Sequence, residues 1–192
     1  MQMRRRNFKS LSLIFIAFVV LYIIFSSRYH KYHIDVVISD TKPEEVWEYL
    51  ADFSKMLVLN PSILDFKIKS DNGHTHDWRY SVLYTERLAH WPYWLNKATA
   101  DYIVTKSMPG IKPQTFAIQS RHQTCFFKDS YCLLAESEME FSQRGPDTYS
   151  VESIQYQCPP FLTGACRREL EHQRKTVMHN LTTIFKKKQR SH

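Results

Sequence analysis

Apolar positions along this chain recur with three different periods. Residues 11–25, LSLIFIAFVVLYIIF, are unbroken by any charge. Farther along, Trp78, Tyr80, Val82 and Tyr84 alternate with Arg79, Ser81, Leu83 and Thr85. Near the end, Leu170, Val177, Met178, Leu181, Ile184 and Phe185 return at spacings that fall on one helical stripe. The first pattern predicts a helix apolar all round. The second predicts a strand with one buried face, and the third a helix with one buried stripe.

Between these landmarks the same rules place the other elements. Residues 33–39 (HIDVVIS) predict a first strand. In DTKPEEVWEYLADF, Thr41 with Glu44 fits a capping box, Pro43 suits a first turn, and Val46, Leu50 and Phe53 share a helix face. SKMLVLNPSI predicts a second short helix that ends at Asn60-Pro61. LDFKIKS predicts a strand, with a turn at Asp71-Asn72-Gly73 before the strand DWRYSVLYTERL. NKATADYIVTK, TFAIQSRHQTCFF, SYCLLAESEMEFS and DTYSVESIQYQ predict four more, with turn signals at Pro109-Gly110 and Gly145-Pro146-Asp147. Residues 159–188 predict one long helix. The order is strand, two helices, six strands, long helix. That is an α+β layout, an antiparallel sheet with its helices on one side.

Residues 10–27 number 18, near the lower limit for a membrane span. Two readings fit: an uncleaved anchor, or a cleaved signal peptide with a basic leader. No small-x-small site follows the apolar run, and Tyr22 and Tyr29 suit interfacial positions, which favours the anchor. Arg4, Arg5, Arg6 and Lys9 precede the run, against Arg28 and Lys31 after it. This asymmetry predicts a cytoplasmic N-terminus (1–9) and a lumenal or extracellular domain, a single-pass type II arrangement. The short span suits a thin membrane such as that of the endoplasmic reticulum.

The formal charge of +7 misleads. Six of the 26 basic residues precede residue 32, and no acidic residue does, leaving 20 basic against 19 acidic in the body. Several of those 20 crowd the tail KKKQR, where they suit a helix C-terminus. A near-neutral body lacks the basic patch that nucleic acid demands.

CFFKDSYC raises the question of its two cysteines. If Lys128-Asp129 is a two-residue turn, Cys125 faces Cys132, Phe126 faces Tyr131, and Phe127 faces Ser130. Farther along, Arg121 faces Glu136, Gln119 faces Glu138, Ile118 faces Met139, Phe116 faces Phe141, and His122 faces Ala135. One face is then polar with a favourable charge pair and the other mostly apolar, and a one-residue slip would mix them. Cys158 and Cys166 flank PPFLTGA at the start of the last helix. The spacings are too long for a zinc site and no C-x-x-C is present. Disulfides 125–132 and 158–166 suit an oxidising lumen; four reduced core thiols are the alternative.

KPEEVWEYLADFSKMLVLNPSI resembles the opening of START-like, or polyketide-cyclase-like, lipid-transport domains: a strand, a Pro-Glu-Glu-Val-Trp helix, Ala-Asp-Phe and an Asn-Pro turn. The element order matches over residues 33–187, leaving 188–192 as a basic tail. The resemblance implies a helix-grip fold, in which a curved sheet grips the C-terminal helix and a cavity between them holds an apolar ligand. That family has no universal catalytic motif and implies no cofactor.

With that resemblance, the inward strand positions become candidate cavity walls: Tyr80, Val82, Tyr84, Ala100, Tyr102, Phe116, Ile118, Ser120, His122, Ser137, Met139 and Phe141. Trp94 joins them from the aromatic cluster His90-Trp91-Pro92-Tyr93-Trp94, read either as a lid or lipid-dipping loop or as a loop folded onto the core. The other reading of the inward positions is an ordinary filled core. Glu86 and His122 are weak candidates for an acid/base pair, weighed against hydrogen-bonded structural roles. The short histidine groups around His74, His76, His30 and His33 lack a closed ligand set, so no metal is expected. Asn180-Leu181-Thr182 is a glycosylation sequon, whereas proline bars Asn60-Pro61-Ser62. The expected function is a membrane-anchored domain that binds or transfers a lipid or other apolar small molecule. The alternatives are a cyclase- or hydrolase-type enzyme on the same fold, and a filled-core protein-interaction domain.

Overall fold

A computed structural model describes residues 2–74, 76–93, 95–108, 110, 114–126 and 130–190, with the side chains of 2–10 and 23–25 outside that description. Helix α1 (Gln2–Phe25) leads into strand β1 (Arg28–Ile38). Helix α2 (Pro43–Ala51), a tight turn (Phe53–Lys55) and helix α3 (Met56–Leu59) follow. Six strands come next: β2 (Ile63–His74), β3 (Asp77–Arg87), β4 (Leu95–Lys106), β5 (Phe116–Phe126), β6 (Tyr131–Arg144) and β7 (Asp147–Cys158). Helix α4 (Thr163–Arg190) closes the chain. The strands form one sheet in the order β1-β7-β6-β5-β4-β3-β2, antiparallel throughout.

The alternation read from the sequence sets which face is buried. On β3 and β4, Tyr80, Val82, Tyr84, Ala98, Ala100, Tyr102 and Val104 point to one core. Val177, Met178, Leu181 and Phe185 of α4 press into it from the other side, with Val46, Trp47 and Leu50 of α2. This is the helix-grip arrangement. The β5–β6 register agrees with the hairpin reading pair for pair from Phe116–Phe141 through Arg121–Glu136 to Cys125–Cys132. Residues 127–129, the centre of that turn, lie outside the described residues. Both disulfides are present, Cys125–Cys132 and Cys158–Cys166.

Four local expectations change. Strand β1 begins at Arg28 rather than His33, because β7 supplies partners as far as Cys158. The turn expected at Asp71-Asn72-Gly73 is strand: β2 runs on to His74, and Gly73 pairs with Trp78. A Cβ on Gly73 would sit 3.0 Å from the Trp78 ring, so glycine makes room for the indole, whose Nε1 donates to Asp71 (2.6 Å). The capping box does not form. Lys42 takes the N-cap position without a side-chain cap, while the Thr41 hydroxyl donates to the Ile38 carbonyl (2.8 Å). Last, α4 starts at Thr163, after a tight turn over Pro160–Leu162, rather than at 159, and ends at Arg190 rather than 188, where Gln189 donates to the Ser39 and Asp40 carbonyls.

Helix α1 lies where the apolar run predicts a helix, and its described side chains, 11–22, are exposed on every side. Among the described residues no helix is long and apolar enough to cross a membrane.

Candidate functional site

The grip is filled at one end and hollow at the other. The filled end is aromatic. Phe53, carried in by the turn after α2, packs at 5.1–5.7 Å from the rings of Phe66, Tyr84 and Tyr102. Tyr80 stacks on Tyr102 at 4.9 Å, and its hydroxyl donates to the Ala51 carbonyl (2.8 Å). Most of the expected cavity walls therefore lie in solid core: Tyr80, Val82, Ala100, Tyr102, Phe116, Ile118, Met139 and Phe141. The plug comes from the α2–α3 connection, which the strand pattern alone does not locate.

The hollow end lies beneath the first half of α4. A cavity of about 500 Å³ opens there between the helix and strands β3–β7. Apolar walls come from Leu88, Phe126, Leu133, Phe161, Leu162 and Leu170, and polar groups from Tyr84, Glu86, Asn96, His122 and Arg174. The volume and the mixture of apolar wall with few polar points are typical of small-molecule sites. Of the expected wall residues, Tyr84 and His122 reach it, together with Glu86. Ser120 and Ser137 sit just beyond, hydrogen-bonded to each other (2.9 Å). Trp94 lies outside the described residues.

The Cys158–Cys166 bridge ties the end of β7 to the first turn of α4 beside this cavity. The Cys125–Cys132 bridge crosses the neighbouring β5–β6 hairpin on the outward face, as the register requires. The Cys158–Cys166 bridge is packed in a second, smaller apolar cluster with Ile154, Tyr156, Leu162 and Leu170.

The polar groups form two sets. In one, the Tyr84 hydroxyl and His122 Nδ1 lie 3.0 Å apart, and His122 Nε2 and the Ser120 hydroxyl 2.9 Å apart. Each ring nitrogen thus has a hydroxyl partner, so a neutral imidazole donates from one nitrogen and accepts at the other. Burial, and then the charge of Arg174, pull the His122 pKa down to about 3. In the second set, Glu86 of β3 pairs across the ladder with Asn96 of β4, and both are buried. Burial, reinforced by the charge of Glu169, pushes the Glu86 carboxyl up to about 7, against the opposing pull of Arg174, Asn96 and Thr124. Neither amide atom of Asn96 makes a hydrogen bond of ordinary geometry.

Arg174 pairs with Glu152 of β7 at 3.2 Å. Glu152 is only 1% exposed, so this ion pair is held in the interior, and Glu152 Oε2 and Arg174 Nε make no further bond. Glu169 caps the rim by accepting from the Ala89 and His90 backbone amides, with its Oε2 2.8 Å from His90 Nδ1. This ties the His90–Tyr93 loop to α4. Asn96 and Glu152 were open to sequence reasoning: each holds an inward parity among Ala98, Ala100 and Tyr102, or Ser150 and Ile154. A polar residue at an inward position was the signal. Arg174 gave the same signal: it falls four residues after Leu170 and three and four before Val177 and Met178, a charged residue on the apolar stripe of α4.

The sequon at Asn180 is not turned outward. Its amide nitrogen, the atom a glycan would occupy, donates to the Leu59 carbonyl (3.0 Å) and joins α4 to α3. Among the described residues no group of His, Cys, Asp and Glu side chains has metal-binding geometry.

No family model matches the chain, and no curated protein matches it. Solved structures match in shape. TTHA0849 from Thermus thermophilus aligns with a TM-score of 0.58 at 10% identity, over 81% of this chain and 97% of that one. The ZhuI aromatase/cyclase from Streptomyces sp. R1128 gives 0.58 at 11% identity, over 84% and 94%. Ara h 8.0201 gives 0.52 at 9% identity, over 82% and 98%. At these identities the likeness is one of fold, the helix-grip fold built above from its residues.

Proposed function

We propose that the chain is a membrane-anchored, lumen-facing protein that binds an apolar small molecule or lipid and exchanges it with the bilayer. The observation that carries this reading is the apolar-walled cavity of about 500 Å³ under the first half of α4.

Position supports it. Arg28, just after α1, pairs with Cys158 at the end of β7. Through the register, that sheet end is also the end holding Leu133, Thr124 and Glu86. Helix α1 also lies against the Pro160–Leu162 turn. The segment read as an anchor (residues 10–27) thus joins the domain at the cavity's rim, where Phe161 and Trp91 are exposed. A ligand leaving the bilayer would have a short path. The exposed apolar side chains all round α1 suit a lipid surround, and two disulfides suit an oxidising compartment. The mechanism is burial of the ligand between sheet and helix, with the rim loop as gate.

The test is purification of the full chain, expressed through a secretory pathway, followed by organic extraction and mass spectrometry. A stoichiometric lipid is the expected result; a clean, lipid-free protein that takes up no added lipid refutes the reading.

A second reading, an enzyme of cyclase or hydrolase type, rests on Glu86, held near pH 7 inside the cavity and so able to give or take a proton. Glu86→Gln, beside His122→Ala, separates the two: retained ligand binding with lost turnover of a bound substrate marks the enzyme.

A further inference from the structure

We infer that the molecule held in this cavity is a lipid alcohol: an apolar body with one uncharged hydroxyl head, received by Asn96 and Glu86 at the β3–β4 wall. This rests on the carrier reading above and narrows the ligand's class.

Asn96 is 2% exposed, lies on the cavity lining, and has both its Nδ2 and its Oδ1 without a hydrogen bond of ordinary geometry. A buried amide left this way is costly, and native interiors rarely tolerate one unless something else completes it. Its ladder partner Glu86 and the nearby Thr124 are also on the lining. Three polar groups thus converge on one patch of an otherwise apolar wall. They ask for a head that both donates and accepts.

Charge restricts the head further. The guanidinium of Arg174 is already matched by Glu152, which is too deeply buried to leave it. A carboxylate or phosphate head would add a negative charge beside Glu86 and Glu169, with the Arg174 guanidinium already engaged and Arg168 exposed at the rim, where its Nε donates to the Gly164 carbonyl. An ammonium head would face Arg174 and Arg168, both on the lining, with the Glu169 carboxylate already taken by the Ala89 and His90 amides and only Glu86 left to meet it. Either would leave a poorly compensated charge in a buried site. A hydroxyl costs neither. It can donate to a Glu86 carboxylate or accept from the carboxylic acid, so it fits both states of a group poised near pH 7. It can also meet either end of the Asn96 amide. An alkane leaves the Asn96 amide unsatisfied.

The experiment uses the full chain in bilayer nanodiscs and a diazirine-bearing derivative of 1-dodecanol. After photolysis, labelled peptides are mapped, and labelling is competed with 1-dodecanol, dodecanoate or dodecane. The expected result is labelling on the cavity walls, competed about tenfold better by the alcohol than by the acid or the alkane, the size expected for one satisfied buried polar pair. In Asn96→Leu, labelling stays and the preference shrinks to within about twofold. Equal competition by alcohol and alkane in the wild-type protein overturns the inference, as does better competition by dodecanoate; both leave a lipid-binding cavity in place. Labelling confined to α1 overturns the carrier reading with it. The wild-type ranking decides the ligand class even if the variant fails to fold.

Discussion

Replacing Glu86 with glutamine should stabilise the protein at high pH and do little at low pH. Glu86 is 8% exposed and its carboxyl is raised from the ordinary 4.5 to about 7 by burial and the charge of Glu169. The folded state therefore holds this proton more tightly than the unfolded state. Stability from that preference is fully present below about pH 4.5 and is lost as pH rises through about 7. A gap of this size corresponds to roughly 3 kcal/mol. Glutamine keeps the shape and polarity of the carboxylic acid but never ionises. The variant should thus melt within about 2 °C of wild type at pH 4.5 and roughly 6–12 °C above it at pH 8.5, given a few degrees per kcal/mol for a domain of this size. Comparing the two proteins pH by pH cancels His122, whose depressed pKa acts in the opposite direction: its contribution is present above about 6.5 and falls away as pH drops. The assay is thermal melting by circular dichroism on the full chain in one detergent at both pH values. A difference that does not change with pH would refute the claim that Glu86 is buried in the cavity wall. A variant destabilised more at pH 8.5 would reverse its sign.

Three further outcomes follow from the same site. His122 should show no imidazole titration by NMR between pH 5 and 8, since burial and Arg174 hold its pKa at about 3; a midpoint near 6.5 would mean the relay with Tyr84 and Ser120 is open to solvent. Arg174→Met should cost about 3–5 kcal/mol by denaturant titration, because it strands the Glu152 carboxylate in the interior, whereas Arg174→Met with Glu152→Leu should recover most of that. Cys125→Ser with Cys132→Ser should lower stability by about 2–3 kcal/mol, the loop-closure value for so short a crosslink, while leaving the β5–β6 register unchanged by hydrogen exchange.

Which parts of this molecule were legible in the sequence follows from how local their causes are. The β5–β6 register was legible because a slip by one residue would exchange Arg121 and Gln119 with Ile118 and Phe116, and the cysteines confirm the same alignment. The sheet faces were legible for the same reason. The position of the cavity was not. Whether Tyr102 lines a hollow or a filled core depends on Phe53, nearly fifty residues earlier, turning inward against it. Strand alternation says which side chains point in, not which space another element has already taken. The β2 extension was missed because Asn72-Gly73 carries a strong turn signal, while the reason for glycine there is the Trp78 ring on the paired strand. The inward parity of Asn96 was plain, but that its amide makes no hydrogen bond of ordinary geometry is visible only in three dimensions.

The most direct test of the central claim is native mass spectrometry of the full chain beside Ala135→Trp. Ala135 stands on the cavity lining opposite His122, half-buried, where an indole would occupy the space a ligand needs. The wild-type protein should carry an apolar adduct that is lost on denaturation. Ala135→Trp should carry none, with both disulfides intact and its melting temperature within a few degrees of wild type. A wild-type protein without an adduct, or an adduct that survives in Ala135→Trp, would contradict the account.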